Sequence, residues 1–180
     1  TYALMGPMSR AAGSTFDVRK VHPYSDYQTL EFDVPRFEGA VVLDRVRIRL
    51  AEMHQSISIC NQALERITPT GAWHAEDPRI TPPPKDKVYT EMEALIQHFL
   101  IHSQGFTVPP GDAFVPVEGP RGQHGVLVVS DGTNRPVRVH LRSPSLAACQ
   151  AMEPMVVGAL LADVVAIIGS TDIVMGDVDR

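Results

Sequence analysis

The chain has 180 residues, 44% hydrophobic and 21% charged, with a formal net charge of -5. That length suffices for a domain with a real core, and the balance is that of an ordinary globular protein. The acidic charge leaves no basic footprint for nucleic acid. The two cysteines, Cys60 and Cys149, are far apart and form no CxxC pair. This argues against a disulfide framework, a zinc ribbon or an iron–sulfur cluster held by this chain alone.

The opening at Thr1 reads as mid-chain sequence, so the expectation is a piece of a longer polypeptide. Residues 1–40 are rich in Gly, Pro, Ser and Asp and predict an irregular entry segment with short helices. A helical pair with a proline-rich loop is expected over 41–105. Apolar residues at Val46, Leu50, Met53, Ile57, Cys60, Leu64 and Ile67 alternate spacings of four and three, which draws one stripe along a helix from Val41 to Ile67. The proline-rich run from Thr68 to Lys85 predicts extended loop. A second helix follows over Val88–Gln104, with Met92, Leu95, Ile96 and Phe99 facing inward and Gly105 as its C-cap.

Over 112–142 the period changes to two. Three strands of an antiparallel meander are predicted at Phe114–Glu118, Gly125–Ser130 and Val137–Arg142, with Asp131-Gly132 turning the second into the third. Val126 to Val129 is continuously apolar, which predicts a central strand covered on both faces. Over 143–180, Ser143-Pro144-Ser145 signals a helix N-cap. Pro154 is expected to restart a buried helix that ends at Gly169, too short for a membrane span and interrupted by Asp163. An irregular tail closes the chain. The fold class is mainly α with a small inserted antiparallel sheet, α+β.

Three constellations carry candidate chemistry. His98 and His102, at i and i+4, can meet one metal ion or simply be two partly exposed histidines; no third ligand and no HExxH pattern is evident, and no metal is assigned. Glu118-Gly119-Pro120-Arg121-Gly122 is a Gly/Pro-rich hairpin loop whose Glu and Arg are either solvated or aimed at a shared cavity. Asp172 to Arg180 mixes acids with apolar residues, as a terminus tied to the core or as the lining of an apolar pocket with a few polar handles. No phosphate loop, dinucleotide fingerprint or Ser-His-Asp pattern occurs, and nothing places NADH on this chain.

Four blocks, in order, carry a family resemblance. They are Gly6…Arg10…Gly13…Asp17-Val18-Arg19-Lys20…Pro23-Tyr24 with Glu31-Phe32-Asp33-Val34-Pro35; Glu52-Met53-His54-Gln55-Ser56; Val108-Pro109-Pro110-Gly111, Glu118 to Gly122 and Val129-Ser130-Asp131-Gly132…Arg135-Pro136; and Ala162 to Gly169 with the tail Asp172 to Arg180. Together they cover nearly the whole chain. The ordered set resembles the D (49-kilodalton-type) subunit of respiratory complex I, NADH:quinone oxidoreductase, a relative of the nickel–iron hydrogenase large subunit.

The resemblance implies a hydrogenase large-subunit-like fold and a role in a proton-translocating NADH:quinone oxidoreductase, with the piece inactive alone. In the hydrogenases the matching tail reads Asp-Pro-Cys-x-x-Cys-x-x-His and helps bind nickel. Here Val174, Asp177 and Arg180 occupy the Cys, Cys and His positions, and valine has no ligand atom, so no nickel–iron centre is expected. The resemblance instead places a quinone pocket there. Asp172, Val174 and Met175 become its candidates, with Glu118, Arg121, Asp177 and Arg180 lining the cavity. Met175 and Asp177 stand where the family commonly has Phe and Glu, and Ala159 where it commonly has His. The catalytic pair belongs to the family's N-terminal half and is not named here.

No cofactor is expected on this chain. FMN and iron–sulfur clusters would sit in partner subunits, quinone would be the substrate, and partners would include the neighbouring iron–sulfur subunit and the membrane-arm subunits. The expected location is peripheral, on the cytoplasmic side of the inner (plasma) membrane. Two alternatives remain open: a subunit of a hydrogenase-derived, ferredoxin-linked complex, and a non-catalytic scaffold domain that docks partners through the striped helix.

Overall fold

A computed structural model of the chain describes residues 2–67, 71–72 and 74–179. It is an α+β fold, mainly helical with one three-stranded antiparallel sheet of order β1-β2-β3. The sheet is formed by β1 (Gly111–Gly119), β2 (Gly122–Ser130) and β3 (Arg138–Arg142). The helices are α1 (Pro7–Arg10), α2 (Val18–Val21), α3 (Val42–Arg66), α4 (Lys85–Thr90), α5 (Met92–Ser103), α6 (Pro144–Gln150), α7 (Met152–Val156), α8 (Leu161–Thr171) and α9 (Met175–Asp179). The chain divides into two compact units. The first comprises 1–67, 114–126 and 140–180, and the second 68–113 and 127–139.

The first unit is built around the N-terminal segment that the sequence leaves irregular. Ala11 and Val18 are fully buried there, and Met8 and Phe32 nearly so. Ile48 of α3, Ile167 of α8, and Ala148 and Ala151 around α6 complete the apolar core. Short helices suffice because polar side chains fasten the intervening backbone. Asp17 caps α2 by accepting from the Arg19 N–H at 2.9 Å. Gln62 of α3 both accepts from the Glu31 N–H and donates to the Glu31 carbonyl, at 2.9 and 2.6 Å, and Gln55 accepts from the Asp33 N–H at 3.0 Å. These amides satisfy an extended stretch as a neighbouring strand would.

The predicted helix at 41–67 is present as 25 continuous residues, but its apolar stripe is not covered. Val46, Leu50, Met53, Ile57, Leu64 and Ile67 are exposed, while Arg45 and Ile48 on the next face are buried. Periodicity identifies an apolar face and does not say that these residues supply its cover.

The last helices correct the sequence reading in two ways. Gly158, at φ +87°, separates α7 from α8, so no single helix runs from Pro154, which lies inside α7. Helix α8 also passes Gly169 and stops after Thr171, where Asp172 takes a left-handed conformation at φ 54°. Nor is it a buried helix, since Leu161 and Val165 are largely exposed and only Ile167, Ser170 and Thr171 are buried. Ser143 caps α6 as expected, accepting from the Leu146 N–H at 3.2 Å.

In the second unit the predicted helix at 88–104 breaks at Glu91, whose extended backbone (φ -119°, ψ 128°) separates α4 from α5. Met92, Leu95, Ile96 and Phe99, expected to face inward, are exposed, and only Ala94 of α5 is buried. Gly105, at φ +72°, ends α5 as a C-cap, with its N–H donating back to the carbonyls of Leu100 and Ile101. Asp131 and Gly132 make the expected turn, with the Asp131 carboxylate accepting from the Thr133 N–H at 3.0 Å. Val128 of β2 is 36% exposed, and Val126 of the same strand, assigned to the first unit, is 38% exposed, so the central strand is not covered on both faces.

Candidate functional site

The first unit holds two adjoining polar groups. The inner one is a buried ion cluster centred on Arg10, which is 1% exposed. Helix α1 delivers its guanidinium to three carboxylates. Nε donates to Glu52 of α3 at 2.6 Å, Nη1 donates to Glu118 of β1 at 2.8 Å, and Asp17 lies 3.5 Å away. Asp17 is in turn held bidentate by Arg19, at 3.0 and 2.7 Å. Glu118 accepts from the Val18 N–H through its other oxygen, and its own backbone N–H donates to the Tyr24 hydroxyl.

Burial opposes each charge, and pairing decides most of the outcomes. Arg10 is pulled down by burial but held above its usual value by Glu52 and Glu118. Asp17 is pushed up by burial yet held below the usual carboxylate range by Arg19, with Arg10 adding. For Glu52 burial prevails and Glu118 adds to it, so its carboxyl is raised despite the contact with Arg10. Glu52 and Asp17 are thus shifted in opposite directions within one cluster.

The outer group lies where the β1–β2 loop meets the end of α8. Arg121 projects from this two-residue loop between Gly119 and Gly122. Its Nε donates to the Asp172 carbonyl at 2.9 Å and lies 3.3 Å from the Asp172 carboxylate. The loop is seated by glycine-on-glycine contact, since a Cβ on Gly6 would stand only 2.3 Å from the Gly122 Cα. From α3, Arg49 feels both Asp172 and Arg121; burial lowers its pKa, and its Nε is buried without a hydrogen-bond partner. Arg45, one turn earlier, donates to the Ser170 hydroxyl at 2.9 Å and so ties α3 to the last turn of α8.

The structure thus brings Arg121 together with Asp172, and the side chains that follow, Val174 and Met175, are exposed beside them. Glu118 turns the other way, into the buried cluster, with only 4% of its side chain exposed. Asp177 lies further along the tail, where it accepts from the Ser145 N–H at 3.0 Å and faces His124. Arg180 lies outside the described residues. Sequence reasoning missed Arg10, Asp17, Glu52, Arg49 and His124 as members of these groups. Arg10, Asp17 and Glu52 were visible in the ordered blocks, but nothing in their spacing says that they converge.

His98 and His102 in the second unit stack with ring centroids 4.3 Å apart, and His102 Nδ1 is bound to the His98 carbonyl. No group of three or more His, Cys, Asp or Glu among the described residues is placed to hold a metal ion. A mostly apolar groove of that unit, about 870 Å³, is lined by Ile80, Ile96, Leu100, Phe106 and Val108, with Asp77, Arg79 and Glu93 also at its walls. Among the described residues no helix is long and apolar enough to cross a membrane.

This α+β chain, with its buried arginine–carboxylate cluster and its tail pinned by a hairpin-loop arginine, matches respiratory-chain dehydrogenase subunits in sequence. The family description "Respiratory-chain NADH dehydrogenase, 49 Kd subunit" matches residues 1–180. The chain is 47% identical over 179 residues to the NADH-quinone oxidoreductase D subunit of Wolbachia pipientis subsp. Culex pipiens, covering 99% of this chain and 46% of that protein. It is 49% identical over 177 residues to the NADH-quinone oxidoreductase D 1 subunit of Solibacter usitatus, covering 98% of this chain and 43% of that one. Against the corresponding D subunit of Trichlorobacter lovleyi the identity is 46% over 177 residues, covering 98% and 45%. This chain belongs to the 49-kilodalton subunit family of the respiratory-chain NADH dehydrogenase. It spans about half the length of the curated relatives it matches.

Proposed function

We propose that this chain works within an NADH:quinone oxidoreductase complex and that its C-terminal tail forms one wall of the quinone headgroup site. The observation that carries the reading is the Arg121–Asp172 contact. It places a fixed guanidinium and a half-exposed carboxylate directly before the exposed apolar residues Val174 and Met175. An apolar surface with a few convergent polar groups suits a flat, mostly apolar ring with two carbonyl oxygens.

In this reading Val174 and Met175 supply the apolar contact. Arg121 orients Asp172 and adds positive charge where electron density builds on the quinone. Reduction to the quinol consumes two electrons and two protons per ring. The electrons come from an iron–sulfur partner subunit, and Asp172 is a candidate group for handling a proton at the site. The same reading gives membrane-arm subunits as further partners and a peripheral position on the cytoplasmic side of the inner (plasma) membrane.

Val174→Met in the parent complex tests the proposal. Loss of NADH:quinone activity with NADH:ferricyanide activity intact supports it. No change in either activity overturns it. Equal loss of both favours a second reading, docking of partners through α3, which draws support from the exposed stripe over Val46, Leu50, Met53 and Ile57.

A further inference from the structure

The tail is held at a second point beyond Asp172. One carboxylate oxygen of Asp177, on α9, accepts from the Ser145 N–H at the start of α6, at 3.0 Å. The other faces His124 Nδ1 of β2 at 3.8 Å. These side chains border a small cavity of about 150 Å³ whose lining also includes Ser143 and Arg142. The imidazole rests on Gly119, where a Cβ would come within 2.7 Å of the His124 Cδ2. The ring fits there because residue 119 has no side chain. Burial pushes the Asp177 carboxyl up, but hydrogen bonds from Ser145 and Ser143, together with His124, hold it below the usual range. Asp177 is thus an anion in the pH range over which imidazoles ordinarily titrate.

We propose that His124 is a positioning residue for the tail: the protonated ring pairs with Asp177 and holds α9, and with it Val174 and Met175, in the arrangement that receives quinone. The consequence for quinone rests on the reading of the tail as part of the quinone site. When the ring loses its proton the ion pair is lost, and only the Ser143 and Ser145 contacts continue to hold Asp177.

The surroundings leave this pairing to His124 and Asp177. From β3, the Arg142 guanidinium is committed to the Gln123 carbonyl at 2.6 Å and the Ala3 carbonyl at 2.8 Å. From β1, Glu118 is turned into the Arg10 cluster. From the start of α6, the cap residue Ser143 and Ser145 face Asp177, and neither carries a charge. Asp179, the other acid of α9, is exposed. The pair is itself 39% and 22% exposed, so solvent screens it and the effect is modest.

The test uses the parent complex as wild type, His124→Gln and His124→Lys. The KM for quinone is measured from about pH 6 to pH 8, on either side of the usual histidine value. Amide exchange over residues 172–179, corrected for its intrinsic pH dependence, is followed in parallel. Ferricyanide activity confirms that each variant is assembled. In the wild type, KM is expected to rise about two- to fivefold with pH, the size of a screened ion pair, and tail exchange to quicken with it. His124→Gln should show the high-pH values throughout. His124→Lys, charged over the whole range, should keep the low-pH values. Coincident pH profiles for wild type and His124→Gln in both measurements overturn the proposal, as does a His124→Lys variant that behaves like His124→Gln. If exchange follows His124 while KM does not, His124 still positions the tail, and the reading of the tail as a quinone wall is what fails.

Discussion

Arg10 Nε meets Glu52 Oε1 at 2.6 Å and thereby joins α1 to the middle of α3, 42 residues away. The same guanidinium holds Glu118 of β1, so one side chain ties together three elements distant in sequence. A buried pair of this kind contributes little net stability over an apolar replacement, yet breaking it by removing one partner is costly. Arg10→Met leaves Glu52 and Glu118 buried without their shared cation and is expected to destabilise the chain by about 3–5 kcal/mol. Glu52→Gln keeps a hydrogen-bond acceptor against Arg10 and relieves the crowding with Glu118, so its cost should be far smaller. Thermal inactivation of the parent complex carrying each variant measures the difference. Equal losses from the two would refute the cluster as drawn.

The acid limb of stability should follow Asp17. Its folded pKa lies below the ordinary value, so its contribution is fully present above that ordinary value and is lost as pH falls through the depressed one. Glu52 has the opposite sign. Its folded pKa is raised, so stability falls as pH climbs from the ordinary carboxylate value through the raised one. Asp17→Asn should therefore flatten the pH dependence of unfolding on the acid side, and Glu52→Gln should flatten the interval just above it. Denaturation midpoints recorded between about pH 2 and pH 7, the span of these carboxyl titrations, check both.

How much of this was legible beforehand differs from element to element. The extent of α3 follows from the apolar spacing between Val46 and Ile67, because that spacing depends only on the helix's own period. The meander follows from the alternation of Val137, Val139 and Leu141 with Arg138, His140 and Arg142, and from Asp131-Gly132. What periodicity cannot supply is the identity of a neighbour. The α5 residues expected to face inward are exposed, as is the stripe on α3, while Arg10 and Asp17, within a segment expected to be irregular, are nearly inaccessible. Of the candidate site, the loop Glu118 to Gly122 was flagged as a unit. Its two charged side chains diverge, Glu118 of strand β1 inward to Arg10 and Arg121 of the loop beyond it outward to Asp172, and sequence spacing alone does not give the direction of either.

Gly6 offers a test of how the hairpin loop is seated. It has φ +75°, and an added Cβ would lie 2.3 Å from the Gly122 Cα and 2.8 Å from its nitrogen. Both obstacles are backbone, so neither can move aside as a flexible side chain would. Gly6→Ala combines a strained conformation with overpacking and should cost about 2–4 kcal/mol. It should also displace Arg121. Gly169→Ala, with nothing within 4 Å of the new methyl, should be tolerated and serves as the control. Similar thermal stabilities for the two variants would show that α1 and the loop are not in contact.

The contact between Arg121 and Asp172 permits the most direct separation of charge from shape. Asp172 sits in the left-handed region at φ 54°, where Asn is also well tolerated, so Asp172→Asn removes the charge and leaves the backbone preference in place. Asp172→Ala removes both. If the carboxylate itself serves the quinone site, both variants should lose quinone reduction, by about tenfold or more, the equivalent of one charge-assisted hydrogen bond. If Asp172 matters only as the left-handed residue that turns the tail out of α8, Asp172→Asn should retain activity and Asp172→Ala should lose it. Arg121→Lys complements the pair. Lysine keeps the charge but replaces the planar fork with a single ammonium, so it cannot span the Asp172 carbonyl and carboxylate in the same way. A fall in quinone activity for Arg121→Lys, with ferricyanide activity preserved, identifies the geometry of the guanidinium as the requirement. Full activity would reduce Arg121 to a source of charge.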